Sequence, residues 1–190
     1  MSHLHLLSVS RLSSSHRYKG HDQVIDALSL LDSSDWSWTV VGSGDDLPRL
    51  KHLACTSNLS DKIHFLGDVP RSKLTSLYQH ASVFVLPSYF SNGGSNSVTG
   101  EGFGIVYLEA ALACTPSIAS LQGGHCDLIV DGSTGWLIDQ EPTSLVSVLQ
   151  SIIDNPSLPS VRGFNARERA IKYFSLSTFS ERLKKALPTL

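Results

Sequence analysis

What most limits the fold of this chain is an alternation. Short apolar runs, several of them β-branched or aromatic and each closed by Gly, Ser or Pro, take turns with longer amphipathic segments. The runs His3–Ser10, Trp36–Val41, Lys62–Leu66, Val83–Pro87 and Ser117–Ser120 read as strands, with a sixth at Gly135–Ile138. Between them, His21–Leu31, Asp45–Ser57, Ser72–His80 and Phe103–Cys114 carry apolar residues three and four apart, such as Val24, Ile25, Leu28 and Leu31. That spacing predicts crossover helices. Strands alternating with helices predict an α/β domain built on a doubly wound parallel sheet of about six strands. Beyond Ile138 the pattern is helical to the end, over Thr143–Asp154, Val161–Phe174 and Ser177–Leu187, with Pro156 and Pro159 separating the first two. A length of 190 residues suits one domain, 1–190.

Composition removes several function classes. With 41% hydrophobic and 17% charged residues the chain is globular, not disordered or fibrous. A net charge of -2 offers no long-range attraction to a polyanion, which argues against nucleic-acid binding. Any phosphate must then be held by a few placed cations and backbone amides. Cys55, Cys114 and Cys126 are odd in number and lie far apart, fitting neither a disulfide framework nor a zinc site, so a reducing compartment is expected. The N-terminus lacks a basic, apolar leader, and no stretch approaches the roughly 18 apolar residues of a membrane span. A soluble cytoplasmic protein without a transmembrane segment is the expectation. Cys114 and the apolar helix residues around it read as core.

Two polar loops, Ser13–Ser15 and Ser91–Ser97, follow strands at their carboxyl ends, the edge where open α/β sheets bind ligands. The segment Gly100–Ala110 runs from a glycine-rich loop into an apolar helix, whose first amides and dipole suit a phosphate. Glu101 and Glu109 would lie about 12 Å apart on roughly one face if the helix began beside them, able to hold the hydroxyls at opposite ends of an elongated ligand. The plainer alternative makes Glu101 a helix-dipole partner and Glu109 a solvated face residue. In Ser10–Gly20, Arg11 and Lys19 bring two cations to the same edge, enough to neutralise a diphosphate, with Arg17 as a third candidate. A solvated loop with snorkelling cations is the alternative there. Gly42 and Gly44 follow the second strand without a third glycine, and no GxGxxG follows the first, which argues against a nicotinamide-dependent enzyme. Those two glycines serve either a tight turn or a binding loop. Neither a GxSxG elbow nor an HExxH pair is present for a hydrolase. Adjacent residues rarely converge on one ion, so His125, Cys126 and Asp127 read as local loop residues.

Taken in order, Arg11, Lys19-Gly20-His21-Asp22, Val40–Gly44, Phe65–Val69, Val83–Ser88, Glu101-Gly-Phe-Gly with Glu109-Ala110, Gly123-Gly124 and Asp131–Leu137 form a set. It resembles the C-terminal, donor-binding domain of glycosyltransferase family 4, retaining transferases of the GT-B fold, from about Leu6 to Leu187. The resemblance implies the C-terminal half of a GT-B fold and transfer of a hexosyl group from a UDP- or GDP-hexose to a sugar or lipid-linked acceptor. It implies three catalytic residues: Arg11 and Lys19 on the diphosphate and Glu101 on the hexose hydroxyls. It further implies donor contacts by Glu109 at the ribose, by the backbone of Phe103, Gly104 and Ile105, by the segment ending at Val69 beside the base, and by Gly44 at the cleft. No metal is expected, because Arg11, Lys19 and the amides near Gly104 can stabilise the diphosphate as it leaves.

Departures from the family pattern are the long loop between Arg11 and Lys19, Cys114 where glycine is usual, Asp127 where glutamate is more frequent, and Ser82 where aspartate is common. They bear on geometry and donor preference. A GT-B enzyme needs two Rossmann-like domains, so the N-terminal acceptor domain is expected to be absent from this chain, leaving weak donor binding and almost no transfer. The intact enzyme would work in the cytoplasm in polysaccharide biosynthesis, touching the inner membrane face through the missing domain. The alternative is a non-catalytic module that binds a nucleotide or nucleotide sugar.

Overall fold

The structure, a computed structural model, describes residues 3–93 and 97–187. Strands β1 (Leu4–Val9), β2 (Trp36–Val41), β3 (Ile63–Gly67) and β4 (Val83–Leu86) lie in one parallel sheet with β7 (Ser117–Ser120) and β8 (Gly135–Ile138). The order across the sheet is β3-β2-β1-β4-β7-β8. All six expected strands are present. The polar segment Ser91–Ser97 is not simply a loop: β5 (Ser91–Gly93) pairs antiparallel with β6 (Ser97–Thr99), while residues 94–96 fall outside the described residues. This pairing satisfies backbone groups that an excursion from the main sheet would otherwise leave to water.

Helices α1 (His21–Leu30), α2 (Leu47–Thr56), α3 (Arg71–His80) and α4 (Ile105–Leu112) are the crossovers. The last three, α5 (Pro142–Asp154), α6 (Leu158–Phe174) and α7 (Leu176–Ala186), follow β8. Helix α6 starts earlier than the sequence suggests because Pro159 falls in its first turn, where its missing N–H costs nothing. Helix α4 is shorter at both ends. Gly104 is left-handed before it (φ 74°), and Cys114 is left-handed after it (φ 62°). Cys114 is therefore no core residue: it is exposed and lines a cavity at the amino edge of the sheet. A left-handed conformation strains any residue with a Cβ, which fits the glycine that the resemblance leads one to expect at this position.

Side chains alternate across the strands, so neighbours such as Leu6 and Leu7 enter different cores. One core joins Leu6, Trp38, Val40 and Val85 to Val24, Ile25 and Leu28 of α1 and to Leu145 and Leu149 of α5. The other joins Leu7, Phe84 and Leu86 to Tyr78 of α3 and to Tyr107 and Ala110 of α4. Covering both faces is what lets a parallel sheet be almost continuously apolar. The sheet reverses direction between β1 and β4, and there the loops leave toward opposite faces and open a crevice. A buried relay spans this point: Trp38 Nε1 donates to Ser8 Oγ (2.9 Å), which donates to the Val85 carbonyl (2.5 Å).

Candidate functional site

The loop after β1 continues alongside the loop after β2. Ser10 N donates to Val41 O (3.1 Å) and Leu12 N to Ser43 O (2.8 Å). Glycines make this approach feasible, since a Cβ at Gly42 would sit 1.8 Å from Ser10 O and one at Gly44 2.1 Å from Leu12 O. Both therefore serve loop packing at the carboxyl edge. The chain then winds through a 3-10 turn, Ser14–Lys19, that stops on left-handed Gly20 (φ 81°). A Cβ there would meet Pro87 O at 2.6 Å, and Tyr89 N donates to Tyr18 O (2.8 Å). The two loops flanking the crevice are thus clasped to each other.

Charged side chains divide along this turn. Arg17 bonds the buried Asp46 carboxylate (Nε 3.1 Å, Nη2 3.0 Å), which also receives Arg49. Arg49 in turn grips Asp22 with two bonds of 2.9 and 2.8 Å. Hydrogen bonds from Arg49, and secondarily from Arg17, hold the Asp46 carboxyl below the ordinary carboxylate range. Arg17 is thereby tied to the scaffold acid Asp46, with half of its side chain still exposed. Arg11 is exposed and has no ion-pair partner among the described residues. Burial first, and then the charges of Arg11 and Lys19, lower the His16 imidazole, against smaller opposing effects of Asp45 and Glu101.

Lys19 crosses the crevice to form an ion pair with Glu101, the two side chains being only 13% and 12% exposed. Ser88 Oγ, at the end of β4, lies 3.5 Å from the same carboxylate oxygen. Glu101 stands in the loop before α4, four residues ahead of its first turn. The helical separation expected for Glu101 and Glu109 therefore does not apply. Glu109 lies within α4, accepts a bond from Tyr78 Oη (3.2 Å) and borders a cavity of about 200 Å³ shared with Arg71 and Leu74 of α3. Burial and the Glu109 charge push the Tyr78 hydroxyl upward. Of the expected site residues, the structure brings Lys19 and Glu101 together and leaves Glu109 in a neighbouring hollow.

The Glu101 loop is braced from behind. Gly104, packed against the Glu101 side chain, caps α4 and leaves room for the Tyr107 ring, 2.5 Å from where its Cβ would be. Tyr107 Oη donates to Leu86 O (2.5 Å), and its ring lies 4.8 Å from that of His125. His125 is fully buried, with Nε2 donating to Ser120 O (2.9 Å), and burial lowers its imidazole. Gly124 has no space for a Cβ, which would meet Gly102 O at 2.3 Å. The Phe103 ring lies 5.6 Å from that of Phe174 at the end of α6, and Ile105 is 67% exposed. Val69, just beyond β3, is half-buried against the α3 side of the core. Sequence reasoning passed over Ser88, Tyr107 and His125 as site residues. Ser88 closes the Val83–Ser88 run and His125 follows the paired glycines, but the contacts of Ser88 with Glu101 and of His125 with Tyr107 join segments apart in the chain.

The arrangement offers cations, the free amides of a helix start and a carboxylate within one crevice, the means to hold an anion that also carries hydroxyls. Among the described residues no helix is long and apolar enough to cross a membrane, and no group of three His, Cys, Asp or Glu side chains could hold a metal ion.

The chain is similar to known proteins in sequence and in fold. The model for glycosyl transferases group 1 matches residues 4–172. A GDP-mannose-dependent alpha-(1-6)-phosphatidylinositol monomannoside mannosyltransferase of Mycolicibacterium smegmatis is 28% identical over 172 residues, covering 89% of this chain and 44% of that protein. Sucrose-phosphate synthase from Thermosynechococcus elongatus superposes with a TM-score of 0.81 at 26% identity, over 97% of this chain and 44% of the other. Anabaena HepE in complex with UDP and glucose shares the fold, with a TM-score of 0.83 at 22% identity over 100% of this chain and 49% of its own. The chain thus spans less than half the length of each of these three proteins.

Proposed function

Because this chain belongs to the glycosyl transferases group 1 family, we propose that residues 1–190 form the nucleotide-sugar-binding half of a retaining hexosyltransferase. The donor is a UDP- or GDP-hexose and the acceptor a sugar or lipid-linked acceptor, held by a second domain in the cytoplasm. The observation that carries this reading is the meeting of Lys19 and Glu101 beside the start of α4, with Arg11 on the same loop. The relatives supply its context: one mannosyltransferase is GDP-mannose-dependent, and HepE holds UDP and glucose.

In this reading Arg11, Lys19 and the amides following Gly104 take the diphosphate. Their charge and dipoles are fixed in place before the glycosidic bond breaks, so the leaving group's growing negative charge is stabilised without reorganisation. Glu101 accepts hydroxyls of the hexose, and Glu109, open to the hollow between α3 and α4, takes the ribose. Val69 and the backbone before it border the base, with Gly44 at the rim.

Calorimetry with UDP, GDP and their nucleosides tests the assignment. Lys19→Ala is expected to weaken nucleoside diphosphate binding roughly ten- to a hundredfold, the worth of a charge-assisted hydrogen bond, and to spare nucleoside binding. Glu109→Gln is expected to weaken nucleotide and nucleoside by a similar factor, because both carry the ribose. Equal losses of both ligands in Lys19→Ala, with thermal unfolding unchanged, would remove the diphosphate role.

A further inference from the structure

We propose that Glu101 acts as an internal competitor for Lys19 and so makes the site discriminate a sugar-carrying nucleotide from the bare nucleoside diphosphate. The inference rests on the donor-site reading above and adds a specificity role to it. In the unliganded chain Lys19 and Glu101 satisfy each other, each side chain largely withdrawn from water. A diphosphate that draws the ammonium fully to itself does so by displacing the carboxylate. That leaves a mostly buried Glu101 anion unpaired and close to two phosphates, a costly combination where the surroundings screen charge poorly.

Glu101 cannot readily swing away. Its loop is pinned by Gly104 against Tyr107, by Gly102 against Gly124, and by Ser88 next to the carboxylate. Ser88 is fully buried and contributes one hydroxyl, too little to replace an ammonium. The displaced carboxylate needs other donors, and a hexose attached beyond the second phosphate brings several. A nucleoside diphosphate carries its hydroxyls on the ribose, at the other end. The same pair therefore favours the donor and disfavours the nucleotide left after transfer, which eases product release.

Titration calorimetry on the full 190-residue chain, using UDP, GDP, UDP-glucose and GDP-mannose, tests this. Glu101→Gln is expected to tighten nucleoside diphosphate binding roughly tenfold and to weaken the hexose-carrying donor by a similar factor. Glu101→Asp, which keeps the charge but draws it back from Lys19, is expected to shift both affinities the same way by a few fold. In a Lys19→Gln background, Glu101→Gln should tighten diphosphate binding by only a few fold, because no cation remains to be released and only the repulsion between Glu101 and the phosphates is relieved. A full gain of roughly tenfold in that background would be a general effect of removing one negative charge and would overturn the proposal. An unchanged or weaker diphosphate affinity in Glu101→Gln and Glu101→Asp, with wild-type binding intact, would overturn it alone. A wild-type chain that takes up none of the four nucleotides would overturn the donor-site reading itself. Thermal unfolding of each variant separates altered binding from lost structure.

Discussion

Arg17 and Lys19 lie two residues apart in one short turn, each paired with an acid, yet the two pairs differ in kind. Arg17 leans toward α2, where Asp46 serves three roles together: it precedes the helix, receives two arginines and sits almost without solvent. Every partner there is protein, and the network is closed. Lys19 leans the other way, across the crevice toward α4, to a carboxylate whose only other polar neighbour among the described residues is a hydroxyl at 3.5 Å. The first pair ties elements that never need to part. The second bridges the place where the sheet reverses and a ligand would enter. Similar ion-pair chemistry thus builds a scaffold on one side of the turn and, on the proposed donor-site reading, an exchangeable contact on the other.

The strongest way to break this contrast is at Asp46. Asp46→Ala removes the partner of Arg17 and one of the two partners of Arg49, and is expected to cost about 3 kcal/mol, lowering the melting temperature by roughly 6 to 12 °C by calorimetry. Glu101→Gln should leave that temperature nearly unmoved, and equal drops in both variants would erase the distinction. Acid offers a second route, through His21, which is buried beneath the same loop with its ring near Trp38 and Nε2 3.1 Å from Ser10 Oγ. Burial holds its folded-state pKa down to about 4 against 6.5 for the free side chain. The unfolded chain takes up a proton near pH 6.5 and the folded chain only near pH 4. Stability on this account is full above pH 6.5 and falls as pH drops toward 4, by about 2 to 3 kcal/mol. Denaturant titrations across that range should show a shallower decline in His21→Gln. The smallest expected effect lies far from the crevice, where Cys114→Gly relieves a left-handed residue and should raise stability by about 1 kcal/mol without touching nucleotide affinity. A loss of stability there would mean that the thiol packs more than its exposure suggests.

Much of the fold was legible because periodicity is a local property. The short apolar run Trp36–Val41, buried along its whole length, and the three- and four-residue spacing within His21–Leu31 are set by which faces must be buried, so the strands and helices fell near their expected places. The ends were less legible: the left-handed conformations of Gly104 and Cys114 shorten α4, and glycine or cysteine letters alone do not announce them. The hairpin at Ser91–Thr99 escaped notice because its short, polar strands carry no hydrophobic alternation to mark them.

At the candidate site the sequence by itself determined which chemistry was on offer. It placed Arg11, Lys19, Glu101 and a glycine-bounded helix start on segments that follow strands, hence at one edge of a parallel sheet, because every strand of such a sheet points its carboxyl end the same way. Only the tertiary structure decided the pairings. Lys19 and Glu101 are separated by 82 residues, as Arg17 and Asp46 are by 29, and nothing local distinguishes a cation that meets a scaffold acid from one that meets a ligand-facing acid. That choice follows from where the sheet reverses and how closely Gly20 lets the turn approach Pro87, both of which exist only once the strands have assembled.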